Sequence, residues 1–513
     1  MRPRHHSKML FKFAPVAGMF LATALLNGCR VGPPYIKPVA PAPPEYKESA
    51  APAYKSSPRG TWQPANPQDA AFKGKWWEIF NEPELNALED QVNINNQNIA
   101  QYFQNFMAAR AIVREARTQY WPTATVDPSF TREHPGGATT TTGQTGATGG
   151  GTYSSLSLPF DVSWEPDLWG RVRNTVREQQ YAAQVSAADL ENEKLTEQAD
   201  LAEYYFQLRG QDALQDLYNK TIDVDRKALE LTKALYETGI DNDESVAEAE
   251  VTLKNAEEAG AGVATNRAIY EHAIATLIGK PASSFSMPVK NLATPLPPIP
   301  VGVPSELLQR RPDIAAAERT MAEENALIGV EKAAYYPTLS LTGSGGAQSS
   351  SISSLFSLPA LFWSLGASAS ETIFDAGLRK ATVEQYTATY NADVASYKQT
   401  VLTAFQQVED YIATLRVTTD QIVREGQAVQ SAQRWLDIAN SRYETGLDPY
   451  LNVITAETNL LSNQQTQITL RISEMTAAVE LVQAMGGGWN VSQLPAAGKI
   501  TTAATGQQVQ QTP

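Results

Sequence analysis

Apolar residues recur at heptad spacing in two stretches of this chain. Ile222, Leu229 and Tyr236 stand seven apart, and Val429, Leu436 and Tyr443 repeat them 207 residues later. Leu231 returns in the same way as Ile438, while the neighbouring positions Asp223, Asp225, Arg226, Lys227 and Glu230 are polar. A narrow apolar stripe on a polar helix reads as a coiled-coil seam rather than the broad face of a helix on a globular core. Each stretch opens at a Gly-Arg or Gly-Leu-Arg group and closes at Tyr-Glu-Thr-Gly, first at Tyr236 to Gly239 and again at Tyr443 to Gly446. Gly170 to Gly377 and Gly239 to Gly446 are both steps of 207, so the two halves keep their spacing without insertion. Read as one helix, each stretch reaches about 100 Å at 1.5 Å per residue. The segments following each turn, from about Asp243 to Leu277 and Tyr450 to Met485, are half as long, as are those leading into the strands. Two half-length helices end to end match one rod.

Between the helices the period changes from heptad to alternation. After Tyr120-Trp121-Pro122-Thr123, residues Ala124, Val126 and Phe130 alternate with Thr125, Asp127 and Thr131. A Gly/Thr-rich loop then leads to Leu156, Leu158, Phe160, Val162 and Trp164. The second half follows the same plan: Tyr335-Tyr336-Pro337-Thr338, Leu339 and Leu341, a Gly/Ser loop, then Phe362, Leu365, Ala367, Ala369 and Ile373. Alternation of this kind predicts strands, hence hairpins at about 122–168 and 337–375. Four strands cannot close a barrel, but three chains would supply twelve. The pattern equally fits a soluble β-sandwich insertion in each repeat.

The ends and composition narrow the setting. Arg2, Arg4, Lys8 and Lys12 precede an apolar run from Ala14 to Leu26, which is the layout of an export signal over 1–28 and too short to span a bilayer. The run ends in Leu26-Asn27-Gly28-Cys29, which resembles a bacterial lipoprotein box, and Cys29 is the single cysteine. That resemblance implies cleavage before Cys29 and acylation of its thiol. Arg30 follows instead of the Asp that favours retention in the inner membrane, so the outer membrane is the implied destination. Loss of the signal removes four basic residues and takes the net charge from −14 to −18, which disfavours nucleic acid as a partner. Residues 29–70 are Pro-rich and read as an extended tether, 71–290 and 291–490 as the two repeats, and 491–513 as a disordered tail. No phosphate-binding loop, His-Glu-x-x-His or Gly-x-Ser-x-Gly motif occurs, and the four histidines are scattered, so neither an enzyme nor a metal site is expected.

Several local motifs then combine: Trp76-Trp77-Glu78-Ile79-Phe80, Arg310-Arg311-Pro312-Asp313-Ile314, Leu277-Ile278-Gly279 and Met485-Gly486-Gly487-Gly488-Trp489. With the Cys29-Arg30-Val31-Gly32-Pro33-Pro34-Tyr35 start, they resemble the outer membrane factor family of TolC-like channels, in its NodT/OprM-type lipoprotein branch. The resemblance implies a mainly α fold with β. A homotrimeric, twelve-stranded transmembrane β-barrel, four strands per chain, continues into a periplasmic α-helical coiled-coil barrel. The implied function is passive efflux of drugs or other small toxic molecules. The partners are outer-membrane lipid, a periplasmic adaptor protein and an inner-membrane pump of the resistance-nodulation-division class. No cofactor is expected beyond the lipid on Cys29. Type I protein secretion uses ducts of the same architecture, and a lipid-anchored periplasmic coiled-coil scaffold is the alternative from another class.

The tip turns, about 236–243 and 443–450, carry the site expectations. By resemblance, Thr238, Gly239 and Ile240 with Thr445, Gly446 and Leu447 match the adaptor-contacting motif, although the glycines suffice to end a helix. Leu451 matches an apolar gate position, whereas Asn452 and Thr455 stand where family members often carry Asp, which puts an acidic ring there in doubt. Arg442 and Tyr443 match positions that hold the closed state, and Glu248 is the candidate charge from the first repeat.

Overall fold

The structure is a computed structural model, which describes residues 30–40, 42–48, 74–134, 152–299 and 304–500. The expected signal peptide, Cys29 and residues 501–513 lie outside the described residues, as do 49–73 of the tether and repeat start. The first repeat runs α1 (Pro83–Asn95), α2 (Gln97–Thr118), β1 (Thr123–Val126), β2 (Ser129–Glu133), β3 (Tyr153–Trp164), α3 (Arg171–Glu237) and α4 (Asp243–Leu277). The second runs α5 (Pro304–Arg310), α6 (Pro312–Ala333), β4 (Thr338–Ser349), β5 (Leu361–Ser370), α7 (Leu378–Glu444) and α8 (Leu451–Ala484).

The rods α3 and α7 are each 67 residues long. Both start from a glycine in the left-handed region, Gly170 at φ 83° and Gly377 at φ 91°. In both, an aspartate just before the glycine binds the first helical N–H groups and an arginine side chain together. Asp167 accepts from the Val172 and Arg173 amides at 3.1 and 2.9 Å and from Arg173 Nε at 3.0 Å. Asp375 accepts from the Gly377 and Arg379 amides at 3.0 and 3.3 Å and from Arg379 Nε at 2.6 Å. An anion at a helix start pairs with unsatisfied donors and the positive end of the dipole. Along the rods, α2 and α4 pack on α3, and α6 and α8 pack on α7, while α6 and α8 also touch α3. The result is one wall in two tiers, α2–α3–α6–α7 above and α4–α3–α8–α7 below.

All strands join one antiparallel sheet. β1 and β2 pair with successive parts of β3, broken at Asp127-Pro128, and β3, β4 and β5 follow side by side. The chain thus contributes four strand lines. Register puts Leu156, Leu158, Phe160, Val162 and Trp164 on one face with Leu339, Leu341, Leu361, Trp363 and Leu365. Ser157, Asp161 and Ser163 take the other face with Thr342, Ser344 and Gln348. On the apolar face, Phe160 and Trp363 both stand opposite Gly345, so two large rings flank a position without a side chain. Phe362 lies on the polar face, contrary to the alternation expected of it, because the face is set by Leu361, Trp363 and Leu365. Ile373 lies beyond the end of β5 at Ser370. The outer edges of β1/β2 and β5 have no strand partner within the described chain.

The main core sits at mid-length, where Trp76, Trp77 and Phe80 meet Phe206 of α3, Val401 and Val408 of α7 and Leu481 of α8. The Gly-Gly-Gly run after α8 is explained here: all three glycines have positive φ, and a Cβ on Gly486 would lie 2.0 Å from the Arg310 carbonyl oxygen. Residues 30–40 and 42–48 lie over the chain's own helices with little regular structure, in keeping with their proline content. Tyr35 donates to Glu318 on α6 at 2.6 Å, and the Lys47 and Glu48 amides donate to Glu409 on α7 at 2.7 and 3.0 Å. The expected disordered tail is corrected for residues 491–500. They are held because Gln184 and Arg110 donate to the Pro495 and Ile500 carbonyls at 3.0 Å each, and Ile500 is buried against Val113 and Ala183.

Two glycines separate backbone strain from collision. Gly446 has φ 70° and nothing within 4 Å of a built Cβ, so Gly446→Ala carries only the left-handed penalty, about 1 kcal/mol. Gly486→Ala adds a backbone collision and should cost about 3 kcal/mol or more. Thermal unfolding of the two variants checks this ranking; equal midpoints would refute it.

Candidate functional site

Both rods end in the same turn. Gly239 at φ 73° and Gly446 at φ 70° let the chain reverse. The Ile240 amide then donates to the Leu235 carbonyl and the Leu447 amide to the Arg442 carbonyl, each at 2.9 Å. Thr238 and Thr445 hydroxyls cap the last turn by donating to Ala234 and Ser441 carbonyls at 3.0 and 2.9 Å. With carbonyls satisfied inside the turn, the apolar side chains of Ile240 and Leu447 face outward, 74% and 69% exposed. Return helix α4 starts under an Asn242 cap that accepts from the Ser245 amide at 2.9 Å.

The two turns are tied by one direct link. Tyr443 Oη donates to Asp241 Oδ2 at 2.8 Å, joining the end of α7 to the turn before α4. Burial alone would raise the Asp241 carboxyl, but the Asn242 amide and the Ser245 and Tyr443 hydroxyls outweigh it and hold the group below its ordinary range. The Tyr443 ring lies 5.1 Å from that of Tyr450. Arg442 makes a different connection: its Nε and Nη2 reach Asp448 at 2.5 and 3.0 Å, within its own turn. Arg442 therefore shapes the second turn and, among the described residues, makes no side-chain bridge to another element. Asn452 also bonds to Asp448, and Thr455 donates to the Leu451 carbonyl at 2.8 Å, so both polar side chains are engaged locally.

Between α4 and α8, floored by α3, lies a cleft of 660 Å³. Glu248, Val251, Leu451 and Ile454 line it, and Leu451 is 54% exposed at its rim. Deeper in the same cleft Asp225 of α3 faces Glu457 of α8. Asp225 is 2% exposed and Glu457 9%. Burial first, then the Asp225 charge, pushes the Glu457 carboxyl up to about 8. Burial also raises Asp225. Two carboxyls in one dry site do not both ionise readily, so the pair retains a proton at neutral pH.

The structure brings Tyr443, Leu451 and Glu248 to one region and leaves Arg442, Asn452 and Thr455 in local contacts. Reading Asp225 with the solvated residues of the helix missed its burial. The duplication carries the signal: Asp225 and Thr232 stand 207 before Ala432 and Ala439, and all four are buried. Leu231 and Ile438, expected in the seam, are instead half exposed.

A family model described as outer membrane efflux protein matches residues 88–280 and 303–487. The probable efflux pump outer membrane protein TtgC of Pseudomonas putida is 30% identical over 469 residues, 91% of this chain and 94% of that protein. Outer membrane protein OprJ of Pseudomonas aeruginosa is 29% identical over 490 residues, 92% of this chain and 95% of its own length. The solved outer-membrane channel OprN superposes with a TM-score of 0.80 at 27% identity, over 90% of this chain and 100% of that one.

The two acidic features respond to pH in opposite senses. Asp241 is depressed, so its link to Tyr443 is present at neutral pH and lost as pH falls through the folded value. Glu457 is raised, so the folded tip binds more protons than the unfolded chain above the ordinary Glu range, and tip stability falls as pH rises toward 8. Ion conductance in planar bilayers should accordingly rise between pH 6.5 and pH 9, and Glu457→Gln should flatten that rise. Tyr443→Phe should raise conductance at pH 7; a value equal to the parent's would remove the Asp241 link from the closed state.

Proposed function

The chain belongs to the outer membrane efflux protein family, and from that premise we infer that three copies close its four-stranded sheets into one barrel and its helical walls into one duct. It is the outer-membrane channel component of an efflux pump, extending from the outer membrane into the periplasm. It works by conduction, and its family is one of channels. The observation that carries the trimer is the sheet itself. It has one apolar face, one polar face and two edges with no strand partner among the described residues, and β3, β4 and β5 of 12, 12 and 10 residues are long enough to cross a bilayer. An open edge in lipid strands N–H and C=O groups at several kcal/mol each, so closure needs further copies.

An adaptor and an inner-membrane pump complete the system. A pump of the resistance-nodulation-division class fits this reading, and the outward Ile240 and Leu447 with Thr238, Gly239, Thr445 and Gly446 offer the adaptor a protruding apolar contact. Leu451, Tyr443 and Glu248 form the gate region, with Asn452 and Thr455 giving it little charge. Acylation of Cys29 agrees with the position of Arg30 and Val31, which follow it in the chain. The Val31 amide donates to the Trp169 carbonyl at 3.0 Å, and Arg30 packs on Gly170. Both contacts lie where the strands pass into α3.

Purified protein in detergent should migrate as a trimer, and mass spectrometry should find diacylglycerol and acyl chains on Cys29 that Cys29→Ser lacks. Small parent conductance that rises several-fold in Leu451→Ser would place the constriction at the second tip. A folded, monomeric protein without conductance would overturn the trimeric duct.

A further inference from the structure

The cleft at the tip has the composition of a ligand site rather than of a helix groove awaiting a neighbour. Four lining side chains are carboxylic acids, Glu244 and Glu248 from α4, Asp225 from α3 and Glu457 from α8, and no lysine, arginine or histidine lines it. The remaining surface is largely apolar, including Val251, Leu451 and Ile454. Its 660 Å³ falls within the range of small-molecule sites, about 300 to 1,000 Å³.

Asp225 supplies the independent observation. It is almost wholly buried, it lines the cleft, and neither of its oxygens receives a hydrogen bond from an amide, ammonium or hydroxyl donor. Its polar neighbour is the Glu457 carboxyl. The other titratable groups around the pair are Glu248, the Tyr443 and Tyr450 phenols and, on the floor, Tyr218; no cationic side chain among the described residues faces it. The N-termini of α4 and α8 bring some positive potential, which Glu244 and Glu248 offset in the first turns of α4. A buried carboxyl pair of this kind requires either a proton or a cation.

We propose that this cleft binds a monovalent organic cation with an apolar body, its charged end replacing the proton shared by Asp225 and Glu457 and its body lying on Val251, Leu451 and Ile454. A divalent metal fits less well. Only two carboxyls converge at the buried end, no group of three or more metal-ligating residues occurs among the described residues, and apolar walls offer nothing to a hydrated ion. Because cation and proton compete, one proton leaves for each cation bound. Below the titration of Glu457 the affinity rises with pH, and above it the affinity levels off. The Asp225–Glu457 pair thus works as a cation–proton exchange site beside the gate. Its role as a contact for cargo rests on the efflux-channel reading, whereas the binding does not.

Ethidium, a fluorescent aromatic monocation, serves as the probe, titrated by anisotropy into the purified full-length protein in neutral detergent. Affinity should increase about tenfold from pH 6 to pH 7. Asp225→Asn should lower it at least tenfold, and Asp225→Asn combined with Glu457→Gln should also abolish the pH dependence. Should Asp225→Asn fail to fold, Ile454→Trp, which fills the cleft without touching its charge, should produce the same loss. Equal binding by the parent and these variants, or parent affinity that is flat with pH, overturns the site. Conductance of the same preparations separates the two readings: conduction without ethidium binding refutes the site and leaves the duct, and binding at the cleft without conduction does the reverse.

Discussion

An open sheet edge cannot stand in lipid, and much else in this chain follows from that. The chain supplies four strand lines whose faces are cleanly divided, with Phe160, Trp363 and Leu365 on one side and Asp161, Ser344 and Gln348 on the other. Neither outer edge has a strand partner among the described residues, as befits an arc of a larger ring. A ring fixes the spacing of everything hanging from it. The helices leave the strands through two capped glycines, Gly170 and Gly377, each secured by an aspartate that binds the first amides and an arginine at once. The rods then need the same length, since a wall built from both has to end at one level. Their common 67 residues satisfy that requirement.

Duplication supplies the equal lengths, and divergence between the copies supplies the working chemistry. Asp241 and Asp448 are the same position in the two repeats, 207 apart, yet they have different partners. In the second repeat Arg442 captures Asp448 locally. The first repeat has Leu235 where Arg442 stands, which leaves Asp241 available to the Tyr443 hydroxyl across the repeats. The same logic explains the buried acid. Where the second rod buries Ala432, the first buries Asp225, whose larger polar side chain reaches toward α8 and meets Glu457. A symmetric tip would have had neither the cross-repeat link nor the carboxyl pair.

The repeat made the architecture unusually readable. The rods, the half-length return helices and both tip turns fall within a residue or two of where heptads and Tyr-Glu-Thr-Gly place them, because period and punctuation agree in two independent copies. Strand positions were legible for the same reason, but their facing was not entirely so. Phe362 has the composition of the apolar face and sits on the other one, since parity is set by the whole run through Trp363. Partners of polar side chains were the least readable. Nothing in the order of residues distinguishes Arg442 bonding within its turn from Arg442 bridging to a neighbour, and Asp225 among charged neighbours resembles any solvated acid. Residues 491–500 of the tail were misread because composition speaks for a segment's own core, whereas they are held by donors on α2 and α3.

Where the stability lies bears on how such a tip can work. At mid-length the rods are fixed by large buried rings, Trp76, Trp77, Phe80 and Phe206, and by a buried ion network. In that network Arg209 reaches Glu84 and Asp212 at 2.7 and 2.8 Å, and Arg267 reaches Asp212 at 2.6 Å. Near the tip the packing thins to small side chains such as Ala249, Ala432, Ala439 and Ala456 around Leu436 and Leu460. Removing one charge from the mid-length network would strand another in a dry site, a cost of several kcal/mol, whereas a single hydrogen bond such as that of Tyr443 contributes about 1 kcal/mol. Local opening takes the route of least cost, so it costs less at the ends of the rods than at their stiff middle. A gate placed at the ends can then be governed by a few polar contacts without any demand on the core that keeps the duct standing.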